Sequence, residues 1–64
     1  MARFEVHSFE LNSKKVVDGQ GIVEAMLDYL PWPTVNVNVQ WNPSSGVYNV
    51  MDNQTDFKYE VRLL

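Results

Sequence analysis

The chain contains no cysteine. That absence removes disulfides, thiolate nucleophiles, zinc knuckles and iron–sulfur ligation together. It also bears on location, because a secreted domain of this size usually carries disulfides. We therefore expect an intracellular, cytoplasmic protein. The opening stretch Met1-Ala2-Arg3-Phe4-Glu5-Val6 is charged and alternating, unlike the apolar core of a secretory signal. Long hydrophobic runs are missing as well. None approaches the ~20 residues that a membrane span needs, so no membrane association is expected. Asn53-Gln54-Thr55 matches a glycosylation sequon, but without an export signal the match carries no weight.

Clustered basic charge is the next absence. Five basic residues (Arg3, Lys14, Lys15, Lys58 and Arg62) stand against eight acidic ones, for a net charge of −3. Only Lys14 and Lys15 are adjacent. Nucleic-acid binders draw most of their affinity from grouped Lys and Arg that neutralise phosphates. Such a partner is disfavoured here, and survives only as a third reading in which Trp32, Trp41 or Tyr48 would stack on single-stranded bases.

Catalytic and metal-binding groups are equally sparse. His7 is the single histidine, and the alternation around it places it on the solvent side of a strand. No local pattern joins it to Ser8, Ser13, Ser44 or Ser45 in the manner of a hydrolytic triad. Asp52, Gln54 and Asp56 alternate oxygen ligands as a calcium loop does, but the glycine and distal glutamate of such a loop are replaced by Phe57-Lys58-Tyr59. Gly19-Gln20-Gly21 is too short for a phosphate loop. We expect no enzyme activity, no metal and no cofactor.

The most informative gap concerns charge of either sign. From Tyr29 to Met51, 23 residues pass without one charged side chain, and they include both tryptophans, all three prolines and two of the three tyrosines. Surface strands normally carry charges that discourage edge-to-edge pairing. Here the outward row of the best strand offers Asn36, Asn38 and Gln40. Tyr, Trp, Ser and Asn give contact area and adaptable hydrogen bonds at low entropic cost, and so are common on recognition surfaces. Trp32, Tyr48 and the Asn36/Asn38/Gln40 row are therefore candidates for one binding or self-association surface. In the alternative, the segment lacks charge because both its faces are covered, and Trp32 is a lid on the core.

What is present reads as a folded domain. Hydrophobic residues make up 45% of 64 residues and charged ones 20%, unlike the polar, highly charged composition of disorder. We expect one domain over residues 1–64, with the modest burial that goes with so short a chain. Phe4 and Val6 alternate with Arg3, Glu5 and His7 in a first strand. Phe9 and Leu11 then occupy odd positions, a phase flip that suggests a β-bulge near His7-Ser8. Asn12-Ser13 suits a turn, and Lys14 to Val17 a short return strand. Asp18 is placed to cap a helix, in which Ile22, Val23, Met26, Leu27 and Leu30 mark the buried face and Gln20, Glu24 and Asp28 the opposite one. Pro31 ends it at Leu30.

Thr34 to Trp41 alternates cleanly, with Val35, Val37, Val39 and Trp41 on one side. Asn42 to Gly46 is a turn, Val47 to Met51 a strand of unassigned phase, and Asp52 to Thr55 another turn. Phe57, Tyr59, Val61 and Leu63 mark a last strand. The fold class is α+β: a single helix packed on one face of a mostly antiparallel sheet of four or five strands. The order is ββαβββ, or βαβββ without the first hairpin.

Fold does not assign function. The absence of a catalytic set, the acidic balance and the uncharged aromatic segment lead us to expect a non-enzymatic protein-interaction module, an inhibitor or accessory factor. Glu24 and Asp28, with Asp18, would form an acidic stripe for a basic partner. A short product with its own methionine is expected of phage or mobile-element genes. A second reading is a small homo-oligomer that pairs through the uncharged strand.

Overall fold

The computed structural model describes residues 2–31 and 34–64. Six elements follow in the order β1 (Ala2–Ser8), β2 (Ser13–Gly19), α1 (Ile22–Tyr29), β3 (Val37–Asn42), β4 (Val47–Asp52) and β5 (Lys58–Leu63). The strands form one five-stranded antiparallel sheet in the order β2-β1-β5-β4-β3. The order of elements is thus ββαβββ, with the N-terminal hairpin present. No helix among the described residues is long and apolar enough to cross a membrane.

The alternation of β1, β2, β4 and β5 places one row of each beneath the helix. Phe4, Val6, Val17, Val50, Tyr59 and Val61 meet Ala25, Met26 and Leu30 of the helical segment in a single core. Strand register brings these residues side by side: Phe4 lies opposite Val17, Val6 opposite Val61, and Val50 opposite Tyr59. The phase of β4, which its sequence leaves open, is set by this packing, with Val50 and Asp52 turned inward.

The phase flip after His7 is not a bulge. β1 stays in phase to Ser8, and Ser8 pairs with Ser13 across a loop over 9–12. Asn12 takes the left-handed conformation in that loop (φ 49°), and the Ser8 hydroxyl accepts a hydrogen bond from the Leu11 N–H at 3.3 Å. Phe9 sits at an odd position because it belongs to the open face, where its ring stacks on His7 at 4.8 Å. Leu11 is exposed in the loop.

The helix also differs from expectation at its start and in its buried face. Asp18 does not cap it. Asp18 ends the open-face row of β2, 3.5 Å from Arg3 on the neighbouring strand. The cap residue is Gly21, with no side-chain hydrogen bond. The C-terminal end matches expectation: Leu30 leaves helical geometry (φ −78°, ψ 142°) directly before Pro31. The buried face consists of Ala25 and Met26, with Ile22 and Tyr29 packed against the core. Val23 and Leu27 are 55% and 50% exposed.

Close approach explains the rotation. A Cβ added to Gly19 would lie 2.8 Å from the Ala25 backbone nitrogen. The helix backbone therefore rests almost directly on β2, an approach that a side chain at position 19 would block. A larger side chain facing the sheet at this point would lift the helix away. Turning Ala25 inward carries Val23 and Leu27 out to solvent.

Gly19→Ala tests this seat. The new methyl group must displace helix backbone, an overpacking that costs roughly 1–3 kcal/mol. In a domain of this size each kcal/mol lowers the thermal midpoint by about 4–8 °C. A midpoint unchanged from the wild type would show that the helix does not bear on Gly19.

Candidate functional site

The helix has eight residues, a length of about 12 Å. Five strands span about 19 Å between the outermost axes. The helix is anchored at the β2 side, so it cannot cover the row contributed by β3. Val39 and Trp41, on the same side of the sheet as the helix, are 39% and 54% exposed. Trp41 lies against Tyr48 on β4, with ring centroids 4.8 Å apart.

β3 is also an edge. Among the described residues it pairs with β4 alone, and its far side carries no strand. The Asn53 N–H donates to the Asn36 carbonyl at 2.9 Å, which identifies Asn36–Asn53 as a hydrogen-bonded pair of the ladder. By the alternation of antiparallel ladders, Asn38, Gln40 and Asn42 also bond to β4, while the backbone groups of Val37, Val39 and Trp41 point to the free edge. The edge is without charge over its whole length. The opposite edge, β2, carries Lys14, Lys15 and Asp18.

The open face of the sheet divides in two. Over β2, β1 and β5 it carries a ladder of cross-strand polar pairs: the opposite charges Arg3–Asp18 at 3.5 Å and Glu5–Arg62 at 3.0 Å, and the imidazole of His7 3.8 Å from the Glu60 carboxylate. Toward β3 it becomes a shallow groove of about 510 Å³, lined by Phe9, Asn38, Gln40, Asn49, Met51 and Lys58. Glu10 reaches this region, its carboxylate accepting from the Lys58 backbone N–H at 3.1 Å, and Glu60 is the open-face neighbour of Asn49. Lys58 is thus flanked by carboxylates, a poor setting for phosphate.

The residues singled out from the sequence are distributed over three surfaces. Asn38 and Gln40 share the open-face groove. Asn36 lies just before β3, and its side-chain oxygen accepts from the Asn53 amide at 3.1 Å. Tyr48 is on the other face of the sheet, beside Trp41, so it does not join the amide row in one surface. Trp32 lies outside the described residues. Glu24 and Asp28 flank a hollow on the helix with the exposed Leu27, which Asp18 also lines, while the Asp18 side chain pairs with Arg3 at 3.5 Å. Phe9, Asn49, Met51 and Lys58 were not legible as groove residues, because no local pattern in the sequence reports which strands become neighbours.

His7 and Ser8 stand on opposite faces of β1, with Ser8 buried beneath the helix. Among the described residues no group of three metal-ligating side chains occurs. The one strongly perturbed titratable group among the described residues is structural. Tyr59 is 3% exposed and packs edge-on against Tyr29 at 5.7 Å. Burial pushes its phenol up to about 12, and the nearby Tyr29, Asp52 and Glu10 add to the effect. Asp52 is buried beside it; one carboxylate oxygen accepts from the Gln54 N–H at 2.8 Å. Its second carboxylate oxygen has no hydrogen-bond partner among the described residues.

Comparison with protein families, with curated proteins and with solved structures yields no match to this chain.

The Tyr59 phenol gives a pH prediction. Its proton is held more tightly in the folded state than in the unfolded chain, where the value is near 10. The stability it contributes is complete below about pH 10 and is lost as pH rises through about 12. Tyr59→Phe keeps the ring and removes the titration, so the variant's thermal midpoint should fall less than the wild type's across that window. Equal losses in the two proteins would place the alkaline sensitivity elsewhere.

Proposed function

We propose that this chain is a protein-interaction module that binds by strand addition at β3. The observation that carries the reading is the free edge itself: three outward-facing backbone positions, no charge, and beside them an apolar row in which Val39 and Trp41 are exposed and Val37 is half-buried. An extended segment added there gains main-chain hydrogen bonds from the edge and specificity from alternate side chains. On one face it would meet Val39 and Trp41; on the other, Asn38 and Gln40. The module acts by occupying a surface, as an inhibitor or accessory factor does, and needs no chemistry of its own.

Three features support this location over the acidic hollow of the helix. Solvated carboxylates contribute little to affinity by themselves, whereas a desolvated aromatic such as Trp41 is the side-chain type that dominates interface energetics. The β2 edge is guarded by charge and the β3 edge is not. The backbone groups at the free edge stay available to a partner without any rearrangement of the sheet.

The test is amide mapping by NMR with a panel of eight-residue peptides that alternate apolar and polar residues. The expected result is a shift concentrated at the amides of Val37, Val39 and Trp41, lost in Val39→Lys. Shifts confined to the helix around Glu24 and Asp28, or no shift at millimolar peptide, would overturn the reading.

A further inference from the structure

We infer that the strand added at β3 is β3 of a second copy of this chain, in antiparallel register with Val39 on the two-fold axis. The inference rests on the strand-addition reading and names its occupant. The argument is one of self-complementarity. Across a two-fold axis perpendicular to the sheet, the helix-side face of one copy continues into the helix-side face of the other. The outward-pointing backbone groups belong to Val37, Val39 and Trp41, so these odd-numbered residues must pair with one another.

Only one register pairs all three within the bounds of the strand. It sets Val39 opposite Val39 of the second copy, and Val37 opposite Trp41 in both directions. Each is a hydrogen-bonded pair, exchanging two N–H···O=C bonds. A shift by two residues toward the C-terminal end would bring Pro43 opposite Val37, and proline has no N–H to donate. In the favoured register the apolar row meets an apolar row, with Trp41 against Val37 and beside Val39. On the open face Asn38 lies opposite Gln40, amide to amide. Cross-strand pairs of these kinds are favourable, and no like charges meet.

Two further observations bear on the partner. Val39 and Trp41 are exposed because the helix of the same chain is too short to cover them. A second copy covers both rows with one contact, which makes a continuous ten-stranded sheet from two sets of five. The pairing is also closed: each copy uses its β3 edge once, and the remaining edges are the two β2 strands with Lys14, Lys15 and Asp18. The assembly is therefore a dimer and not a filament. A six-residue strand makes a small interface, so a weak, reversible dimer with dissociation between micromolar and millimolar is expected.

The experiment is sedimentation equilibrium of the full chain from micromolar to millimolar, for the wild type, Val39→Lys and Leu27→Lys, with circular dichroism as the check on folding. Val39 is already solvent-exposed, so lysine is tolerated in the monomer. In the dimer it sets two ammonium groups directly opposite each other. The expected result is a wild-type dimer, a Leu27→Lys protein that dimerises equally well, and a folded Val39→Lys protein whose dissociation constant rises at least ~tenfold. Should Val39→Lys unfold, Gln40→Lys supplies a second test from the open face, where it replaces the amide-to-amide pair with Asn38 by an unpaired charge at the seam. A wild-type protein that stays monomeric at millimolar concentration overturns the inference, and so does a dimer insensitive to these β3 substitutions. Alternating peptides that still shift the Val37, Val39 and Trp41 amides in such a monomer would show that the edge is a binding site for another strand. Failure of both would remove the strand-addition reading as well.

Discussion

The seat of the helix on Gly19 determines how the rest of the surface is apportioned. Because no side chain separates Gly19 from Ala25, the helix lies low over the β2 side and buries Met26 and Leu30 deep among Phe4, Val6 and Val61. In a chain of 64 residues, where burial is limited by surface-to-volume scaling, this close approach concentrates the core. The consequence is a lopsided cover. One eight-residue helix, seated over the β2 side, leaves Val39 and Trp41 of β3 exposed to solvent.

The two faces and two edges of the sheet then follow different rules. On the open face, β2, β1 and β5 carry cross-strand charge pairs that hold register and solubility, though each exposed pair adds little stability. β3 and β4 carry amides and a methionine instead. At the edges the same division recurs, with lysines on β2 and no charge on β3. A monomer built to stay alone would guard both edges. The asymmetry is the physical basis for reading β3 as the side that meets another strand.

Much of this was legible in the sequence, and the failures have identifiable causes. Strict alternation in Ala2–Ser8 and Lys58–Leu63 marks half-buried strands, and both form as expected. Pro31 ends the helix where steric conflict requires. The 23-residue uncharged stretch pointed to the segment that becomes the edge. The helix face was misjudged because Val23 and Leu27 repeat at helical spacing, while the decisive contact is a glycine–alanine approach that hydrophobicity does not report. Phe9 and Leu11 imitated a bulge because a loop can hold apolar residues in any phase. The amide row and Tyr48 fell on opposite faces for a simpler reason: the phase of β4 depends on its partner strands, and nothing local in Val47–Asp52 reveals it. The groove beside Phe9 and Lys58 needs the sheet order, with β1 inserted beside β5, and that order is a product of long-range pairing.

Amide hydrogen exchange along β3, followed residue by residue in dilute and concentrated solution, addresses the central claim most directly. The account predicts an alternating pattern in dilute solution. The N–H groups of Asn38, Gln40 and Asn42, bonded to β4, exchange slowly, and those of Val37, Val39 and Trp41 exchange quickly. In concentrated solution the second set becomes protected while the first is unchanged. Protection of all six amides at every concentration would mean that the edge is already covered within one chain, and would contradict the claim that β3 is the free, strand-accepting side of the sheet.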